Sequence, residues 1–149
     1  PVAVVTEADW LDELLNHGQR PEVAVVGAKL FTPDGFVLHS GLILGLHGPA
    51  GVSFKGNEMH SAGYMSRLQV VQNYSAVGPD CVLIRKQVFD QVQGLDEESL
   101  QGVISEVDLC LRIGQAGYLV VWTPYAQLAL GSQPAAQVVQ ALQQQRGRD

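Results

Sequence analysis

Positive charge and long apolar runs are both scarce in this chain of 149 residues. Nine lysines and arginines stand against 15 aspartates and glutamates, which gives a formal net charge of −6 at pH 7 and argues against a nucleic-acid partner. No apolar run approaches the roughly 20 residues that a helix needs to cross a bilayer, and no signal peptide is recognisable at the start. We therefore expect a cytoplasmic protein with no transmembrane segment.

Cysteine is scarce as well, since the sequence contains only Cys81 and Cys110. They lie far apart and neither belongs to a CxxC pair, which argues against a disulfide framework and against a zinc site. We expect both to be buried free thiols. His39, His47 and His60 are spread through a loop-rich region without the i, i+4 spacing of a helical metal site, so we expect no metal site among them.

Several motifs that carry a known chemistry are missing. The glycines at 41, 45 and 48 do not form GxGxxG, and no GxxxxGK occurs, which excludes the usual dinucleotide-binding and P-loop sites. Neither GxSxG nor HExxH is present, so the sequence also lacks the nucleophile elbow of α/β-hydrolases and the zinc-binding helix of metalloproteases.

The first forty residues predict a helix, a buried strand and a hairpin. Thr6–Asp9 reads TEAD, a capping-box pattern that predicts a helix over about 7–17, and Gly18 is placed to end it in the left-handed conformation. Val23–Val26 is apolar on both alternating faces, which predicts a strand at the centre of a sheet. The Pro-Asp-Gly turn within 29–38 predicts a hairpin.

Further elements are predicted along the rest of the chain. A long loop over 41–75 is followed by a strand at 81–84 and a helix at 86–92. A second helix is opened by a capping box at Ser105–Asp108 and closed at Gly117. The chain then continues with a strand at 118–122 that Pro124 breaks, a weaker extended segment at 126–130 and a glutamine-rich helix at 135–145. Strands that alternate with helices, with a hairpin inserted, predict an α/β fold with a mixed β-sheet flanked by helices.

Charged residues at the start of the helix near position 105 allow two interpretations. Glu106 and Asp108 lie where unsatisfied backbone amides favour ionised carboxylates, and Asp108 can pair with Arg112 one turn later. An ionised carboxylate at the edge of a pocket is what a general base requires. The same positions also suit a capping box, so the spacing alone leaves a catalytic role and a purely structural role open.

The order of the segments resembles the C-terminal half of the catalytic domain of family 2 glycosyltransferases of the rhamnosyltransferase-like kind. The segments that carry this resemblance are DWLDELL, RPEVAVVGAKLFTPDG, HSGLILG, NYSAVGPDCVLIRKQVFDQVQGLDEE and SEVDLCLRIGQAGYLVVWTPYAQL. The resemblance runs from about Trp10 to Ser132. It implies that residues 1–132 form the acceptor-side part of a glycosyltransferase domain with a partial GT-A fold, followed by the glutamine-rich helix in 133–149.

The resemblance also implies a reaction. Members of this family transfer a sugar from a nucleotide-diphosphate donor to a hydroxyl of a saccharide acceptor with inversion, and a divalent metal, Mn or Mg, binds the diphosphate. The family's general base falls on Glu106. The implied substrate contacts are Asp80, in the NYSAVGPDC segment, together with Asp108, Arg112 and His39.

Departures from the family pattern fall on positions that carry the family's chemistry. The family's Asp-x-Asp lies upstream of the DWLDELL helix, and Leu130 stands where members usually carry a metal-binding histidine. Gly78-Pro79 replaces the usual Thr-Gly, and Glu106 stands where aspartate is commoner. We therefore expect the metal ligands to be mostly absent from this chain and the chain alone to be inactive. The alternative is a non-catalytic, degenerate transferase module that binds a glycan or a protein.

Half of a sheet leaves an unpaired apolar edge, and such an edge tends to associate with a second copy. We therefore expect a homodimer. A membrane-associated parent protein is left open by the sequence.

Overall fold

A computed structural model of the chain describes residues 2–6, 8–45, 50–78, 80–100 and 103–131. The strands in these residues are β1 Val2–Val5, β2 Val23–Phe31, β3 Val37–His39, β4 Leu42–Leu44, β5 Ala50–Val52, β6 Gln72–Asn73, β7 Val82–Ile84 and β8 Leu119–Gly131. The helices are α1 Trp10–Gly18, α2 Lys86–Gln91 and α3 Val103–Gln115, with a short 3-10 turn at Tyr64–Ser66.

Two long parallel strands, β2 and β8, form the centre of the main sheet. The outer edge of β8 pairs antiparallel with two short strands, β1 and β6. The outer edge of β2 pairs antiparallel with β7 and β3. Strands β4 and β5 form a separate antiparallel pair. The sheet is therefore mixed, and the expected α/β fold with a mixed sheet and helices is confirmed, an arrangement consistent with part of a nucleotide-sugar transferase fold.

Helices cover both faces of this sheet. Leu14 of α1 packs with Val23, Val26 and other residues of β2 and β8 in one apolar cluster. A second cluster combines Val25 and Trp122 with residues of α2 and α3. All of β2 is buried, as predicted for a strand covered on both faces. The predicted hairpin is confirmed too, since Gly35 adopts φ 89° in the turn that joins β2 to β3.

A buried lysine ties the long segment 53–71 to the sheet. Lys29 of β2 is only 2% exposed, and its ammonium donates hydrogen bonds to the backbone oxygens of Met59 (2.6 Å) and Leu68 (3.4 Å). Burial lowers the pKa of Lys29. The prediction of a loop over 41–75 is wrong in part, because this range contains the short strands β4, β5 and β6. Its portion 53–71 follows a defined path beside β3, where the amide of Val37 donates to the oxygen of Asn57.

The first helix ends within one residue of the predicted position, but its predicted start and its predicted left-handed cap are wrong. The helix begins at Trp10 with Asp9 as its N-cap, and no side chain caps it. Thr6 instead donates its hydroxyl to the backbone oxygen of Gln127 in β8, so a distant strand takes the hydroxyl that the capping box required. Gly18 is the last residue of α1 and is followed by a right-handed Gln19, so the left-handed cap is absent at this position.

Two predictions in the second half also need correction. The second capping box is wrong because α3 already begins at Val103, which places Ser105, Glu106 and Asp108 inside the helix. Pro124 does not break the last strand. Instead β8 continues through it, and the register with β2 shifts between Ala28 and Lys29 so that the extra residues of β8 bulge out of the pairing.

Some expectations lie outside the described residues or stay untested. The glutamine-rich helix in 133–149 falls outside the described part of the chain, and the homodimer and the domain boundary at 132 stay predictions. Both cysteines are free thiols, as predicted. The predicted burial is confirmed for Cys110, whereas Cys81 is only half-buried. In the residues that the structure describes, no helix is long and apolar enough to cross a membrane.

The side chain of Arg85 gives a test of this packing. Arg85 follows β7 in the chain, and its guanidinium donates to the backbone oxygens of Gly18 (2.7 Å), Arg20 (2.8 Å) and Val23. These hydrogen bonds join the end of α1 to the start of β2. We expect Arg85→Ala to lower the free energy of unfolding by about 1–3 kcal/mol, because it leaves these oxygens without their charged donor. The neighbouring, exposed Lys86→Ala should change it by only about 0.5 kcal/mol or less. Urea unfolding followed by circular dichroism measures both, and equal effects would contradict this role.

Candidate functional site

The described residues 76–78 and 80–81 lie beside β2 and β4 and carry part of the candidate site. The amide of Leu42 donates to the oxygen of Ala76 (3.0 Å), and the amide of Ala28 donates to the oxygen of Cys81 (3.3 Å). Gly27 makes the close approach possible, since a Cβ at this position would lie 2.7 Å from Cβ of Val77. Ala76 and Cys81 are thereby fixed to strands.

His39 and Asp80 meet at this segment. The Nε2 atom of His39 lies 2.9 Å from Oδ2 of Asp80, and the two side chains are 25% and 30% exposed. Gly78 leaves room for the imidazole, because a Cβ on Gly78 would lie 2.7 Å from Nδ1 of His39. The structure therefore brings together two residues that the resemblance gave as substrate contacts, and their role in binding substrate stays a prediction.

The surroundings of His39 favour the neutral imidazole. Burial lowers the pKa of His39; the negative charge of Asp80 raises it and the positive charge of Lys55 lowers it, with a net lowering. In the neutral form Nε2–H is the donor to Asp80, and Nδ1 carries the free lone pair. Among the described residues, this Nδ1 atom is buried and has no hydrogen-bond partner.

Glu106 projects from the first turn of α3 and is half-buried. Its Oε2 atom is buried and has no hydrogen-bond partner in the described part of the chain. Burial raises the pKa of Glu106, and the negative charge of Asp80 raises it further. Buried polar atoms are nearly always paired, so an unpaired carboxylate oxygen is available to accept a hydrogen bond from a ligand.

Glu106 lines a cavity of about 140 Å³ between the sheet, α2 and α3. Apart from Glu106 and the thiol of Cys110, the cavity is lined by apolar residues, which are Val25, Val77, Val82, Ile84, Phe89, Leu95 and Leu109. Burial also raises the pKa of Cys110, so its thiol stays protonated and unreactive. An apolar wall beside a carboxylate is the environment in which a carboxylate becomes a stronger base.

Asp108 and Arg112 form a separate arrangement on the same helix. The Nε atom of Arg112 donates to Oδ2 of Asp108 (2.7 Å), as the i, i+4 spacing predicted. The other guanidinium nitrogens donate to the backbone oxygens of Val92 and Gly94 (2.7 Å to Gly94), which fixes the turn after α2. Both side chains thus have protein partners, and their predicted role as substrate contacts stays untested.

No group of three or more histidine, cysteine or acidic side chains is placed to hold a metal ion within the described ranges. Sequence reasoning missed Lys55, and it noted Gly78 only as a departure from the family's Thr-Gly, not as the residue that leaves room for His39. The effect of both residues depends on contacts between distant segments. A glycine directly before Pro-Asp was the one available signal, since it permits a close approach of backbone to a side chain.

The raised pKa of Glu106 predicts that this side chain lowers stability. A carboxyl group whose pKa is higher in the folded than in the unfolded state binds its proton more tightly when folded, so stability falls as the pH rises through that range. Glu106→Gln removes the buried charge, and we expect it to be more stable than the wild type at pH 7 but to lose this advantage at pH values below the unfolded pKa of glutamate. Urea unfolding at both pH values measures the difference. The exposed Glu22→Gln is the control, and the same gain in that variant would contradict the interpretation.

Comparisons with known proteins extend over most of the chain. No protein-family model matches it. It is 47% identical over 124 residues to the uncharacterized protein y4gI of Sinorhizobium fredii, a match that covers 83% of this chain and 14% of that protein. It is 38% identical over 125 residues to the O-antigen biosynthesis protein RfbC of Myxococcus xanthus, which covers 83% of this chain and 10% of RfbC.

A third relative is named for a defined reaction. The chain is 30% identical over 126 residues to an N-acetylglucosaminyl-diphospho-decaprenol L-rhamnosyltransferase of Mycobacterium tuberculosis, which covers 79% of this chain and 41% of the transferase. The chain therefore spans less than half the length of each of these three relatives. It is similar to segments of two proteins that are named for rhamnosyl transfer and for O-antigen biosynthesis.

Proposed function

We propose that this chain forms the acceptor-side part of a family 2 glycosyltransferase that uses a nucleotide-diphosphate sugar, with Glu106 as its general base. The observation that carries the proposal is the Glu106 carboxylate, which has one buried oxygen without a partner in the described residues and a raised pKa. The similarity to an L-rhamnosyltransferase supports the reaction class, since the match covers 79% of the chain.

The chemistry assigned to Glu106 is the removal of a proton from the acceptor. As the acceptor hydroxyl oxygen forms its bond to the anomeric carbon, its proton passes to the Glu106 carboxylate. The bond between the anomeric carbon and the diphosphate oxygen breaks on the opposite face, the nucleoside diphosphate leaves with the bonding electrons, and the configuration inverts. A base with a raised pKa holds this proton better than an exposed glutamate at the same pH.

The apolar wall beside Glu106 supports the same role. Water that reaches a carboxylate solvates its charge and weakens it as a base, whereas Leu109 and Val77 keep part of the cavity free of polar groups. The side chains of His39 and Asp80 are 25% and 30% exposed, so the hydroxyl groups of a saccharide can reach them. We assign them to binding the acceptor.

The divalent metal implied by the resemblance enters this proposal only as a property of the longer protein. The residues described by the structure contain no cluster that fits it. We propose that Mn or Mg is held mainly by residues of the donor side, as is the nucleotide sugar. No proton transfer described for Glu106 passes through the metal.

The proposal is tested in a longer protein that contains this chain together with a donor-binding half. We expect Glu106→Gln to lower kcat by about 10²–10⁴-fold, because general-base catalysis contributes that much and glutamine accepts no proton. Binding of the nucleotide sugar should change little. Turnover is measured by release of nucleoside diphosphate with the acceptor present and absent.

Two controls make the result specific. Glu22→Gln alters an exposed carboxylate whose nearest cation, Arg20, is 3.9 Å away, and it should leave turnover unchanged. Glu106→Asp keeps a carboxylate but shortens the side chain by one methylene, and it should keep more activity than Glu106→Gln. Unchanged turnover in Glu106→Gln would refute the assignment of the base, and a longer protein without any transferase activity would favour the non-catalytic binding module.

A further inference from the structure

We propose that Arg112 is a positioning residue that, held by Asp108, fixes the turn after α2 and thereby closes the apolar side of the cavity that Glu106 lines. This turn, residues 92–95, follows Gln91, the last residue of α2. The inference rests on the proposed function only where it concerns proton transfer to Glu106, because the contacts that carry it all lie within this chain.

The guanidinium of Arg112 joins α3 to the 92–95 turn. Its Nε atom donates to Oδ2 of Asp108 (2.7 Å). Its two terminal nitrogens donate to the backbone oxygens of Val92 and Gly94, the latter at 2.7 Å. The side chains of Arg112 and Asp108 are only 28% and 33% exposed. A planar guanidinium that is bonded on three sides has one orientation, so the turn can move only when hydrogen bonds from a charged donor break.

The backbone of the turn depends on such support. Gln93 has φ 68° and Gly94 has φ 65°, so two consecutive residues are left-handed and one of them carries a side chain. The amide of Gly94 donates to the backbone oxygen of Phe89 (2.9 Å), which ends α2. A left-handed residue other than glycine is unfavourable and persists only where its surroundings hold it. Arg112 bonds to the residues on both sides of Gln93 and so supplies this support.

The turn in its place determines one wall of the cavity. Phe89 and Leu95 line the cavity together with Glu106. Leu95 belongs to the turn itself, and the ring of Phe89 packs on Gly94, since a Cβ at Gly94 would lie 3.0 Å from Cε1 and Cζ of that ring. A displaced turn therefore moves both apolar side chains. Burial is the main cause of the raised pKa of Glu106, so an opened wall that admits water makes this carboxylate a weaker base.

The thiol of Cys110 is a reporter of this wall, because it is buried and lines the same cavity. In a Cys81→Ser background it is the only thiol of the chain. The experiment measures the rate at which iodoacetamide modifies Cys110 in this chain. We expect Arg112→Ala to raise the rate about tenfold or more, because loss of hydrogen bonds from a charged donor favours local opening of the turn.

Arg112→Lys is the conservative variant, and it also serves if Arg112→Ala does not fold. Its ammonium keeps a positive charge for Asp108 but lacks the planar fork that reaches two further oxygens. We expect a rise in the Cys110 rate that is smaller than in Arg112→Ala but measurable against the wild type.

A matched control separates local opening from a general loss of stability. Arg85→Ala also removes an arginine that donates to backbone oxygens, but these oxygens belong to the end of α1 and the start of β2. The variants and the wild type are compared at urea concentrations that give them equal free energies of unfolding. Under these conditions Cys110 should be as protected in Arg85→Ala as in the wild type and should remain more reactive in Arg112→Ala.

Asp108→Ala tests the other half of the pair. It should raise the Cys110 rate by itself, because Arg112 loses its anchor on α3. Combined with Arg112→Ala it should add nothing, since Asp108 acts on the turn only through Arg112. In a longer protein that also binds the donor, Arg112→Ala should lower kcat but cause no further loss in the Glu106→Gln background. Binding of the nucleotide sugar should stay unchanged.

The outcomes are distinct. A Cys110 rate in Arg112→Ala equal to that of the wild type would overturn the proposal, and so would the same rise in Arg85→Ala at equal free energy of unfolding. An added effect of Asp108→Ala in the Arg112→Ala background would show that Asp108 acts by a route of its own, which also contradicts the proposal. The thiol reaction needs no turnover, so it can succeed when Glu106→Gln leaves transfer unaffected, and the two proposals therefore fail separately.

Discussion

The parallel pairing of β2 with β8 is the contact on which the other elements depend. Parallel strands need both faces covered, and β2 is buried over its whole length, so helices are required on each side. The inner edges of β2 and β8 pair with each other. Their outer edges remain free for short antiparallel strands, and two such strands pair with each of them. The positions of α1, α2 and α3 follow from this arrangement.

The same pairing places the candidate site. Cys81, the neighbour of Asp80, accepts a hydrogen bond from Ala28 in β2, and β3 follows β2 through a tight hairpin, so His39 and the chain at Asp80 are both fixed relative to one strand. Helix α3 covers the same face and feeds directly into β8 through Gly117, which has φ 95°. His39, Asp80 and Glu106 are distant in sequence, and the pairing of β2 with β8 fixes the parts of the chain that carry them.

Local features of the sequence were predictable to the extent that their physical cause was local. The β2–β3 turn and the Asp108–Arg112 pair each depend on a few consecutive residues, and both are confirmed. The capping box at Thr6 failed because its hydroxyl is bonded to Gln127, a partner that the local pattern does not contain. The predicted break of the strand at Pro124 failed for the same reason, since pairing with β2 maintains β8 on either side of the bulge.

The candidate site shows the same division between local and distant causes. The resemblance indicated Glu106, Asp80 and His39 one by one, but the contact between His39 and Asp80 depends on Gly78, which no spacing rule gives. The fold adds the electrostatic context, because desolvation by the cavity wall and the nearby negative charge raise the pKa of Glu106 only once the chain is folded.

Helix α3 shows why Glu106 differs from its neighbours. Asp108 and Arg112 satisfy each other and the turn after α2, so their polar atoms contribute to holding two helices together. Glu106 lies two residues before Asp108 and therefore projects from a different face, where an apolar cavity and a second carboxylate make its charge costly. A fold selected only for stability gains nothing from an ionised group in that place. The cost is understandable if the group acts on a ligand, as its proposed role of general base requires, because its Oε2 atom has no hydrogen-bond partner among the described residues.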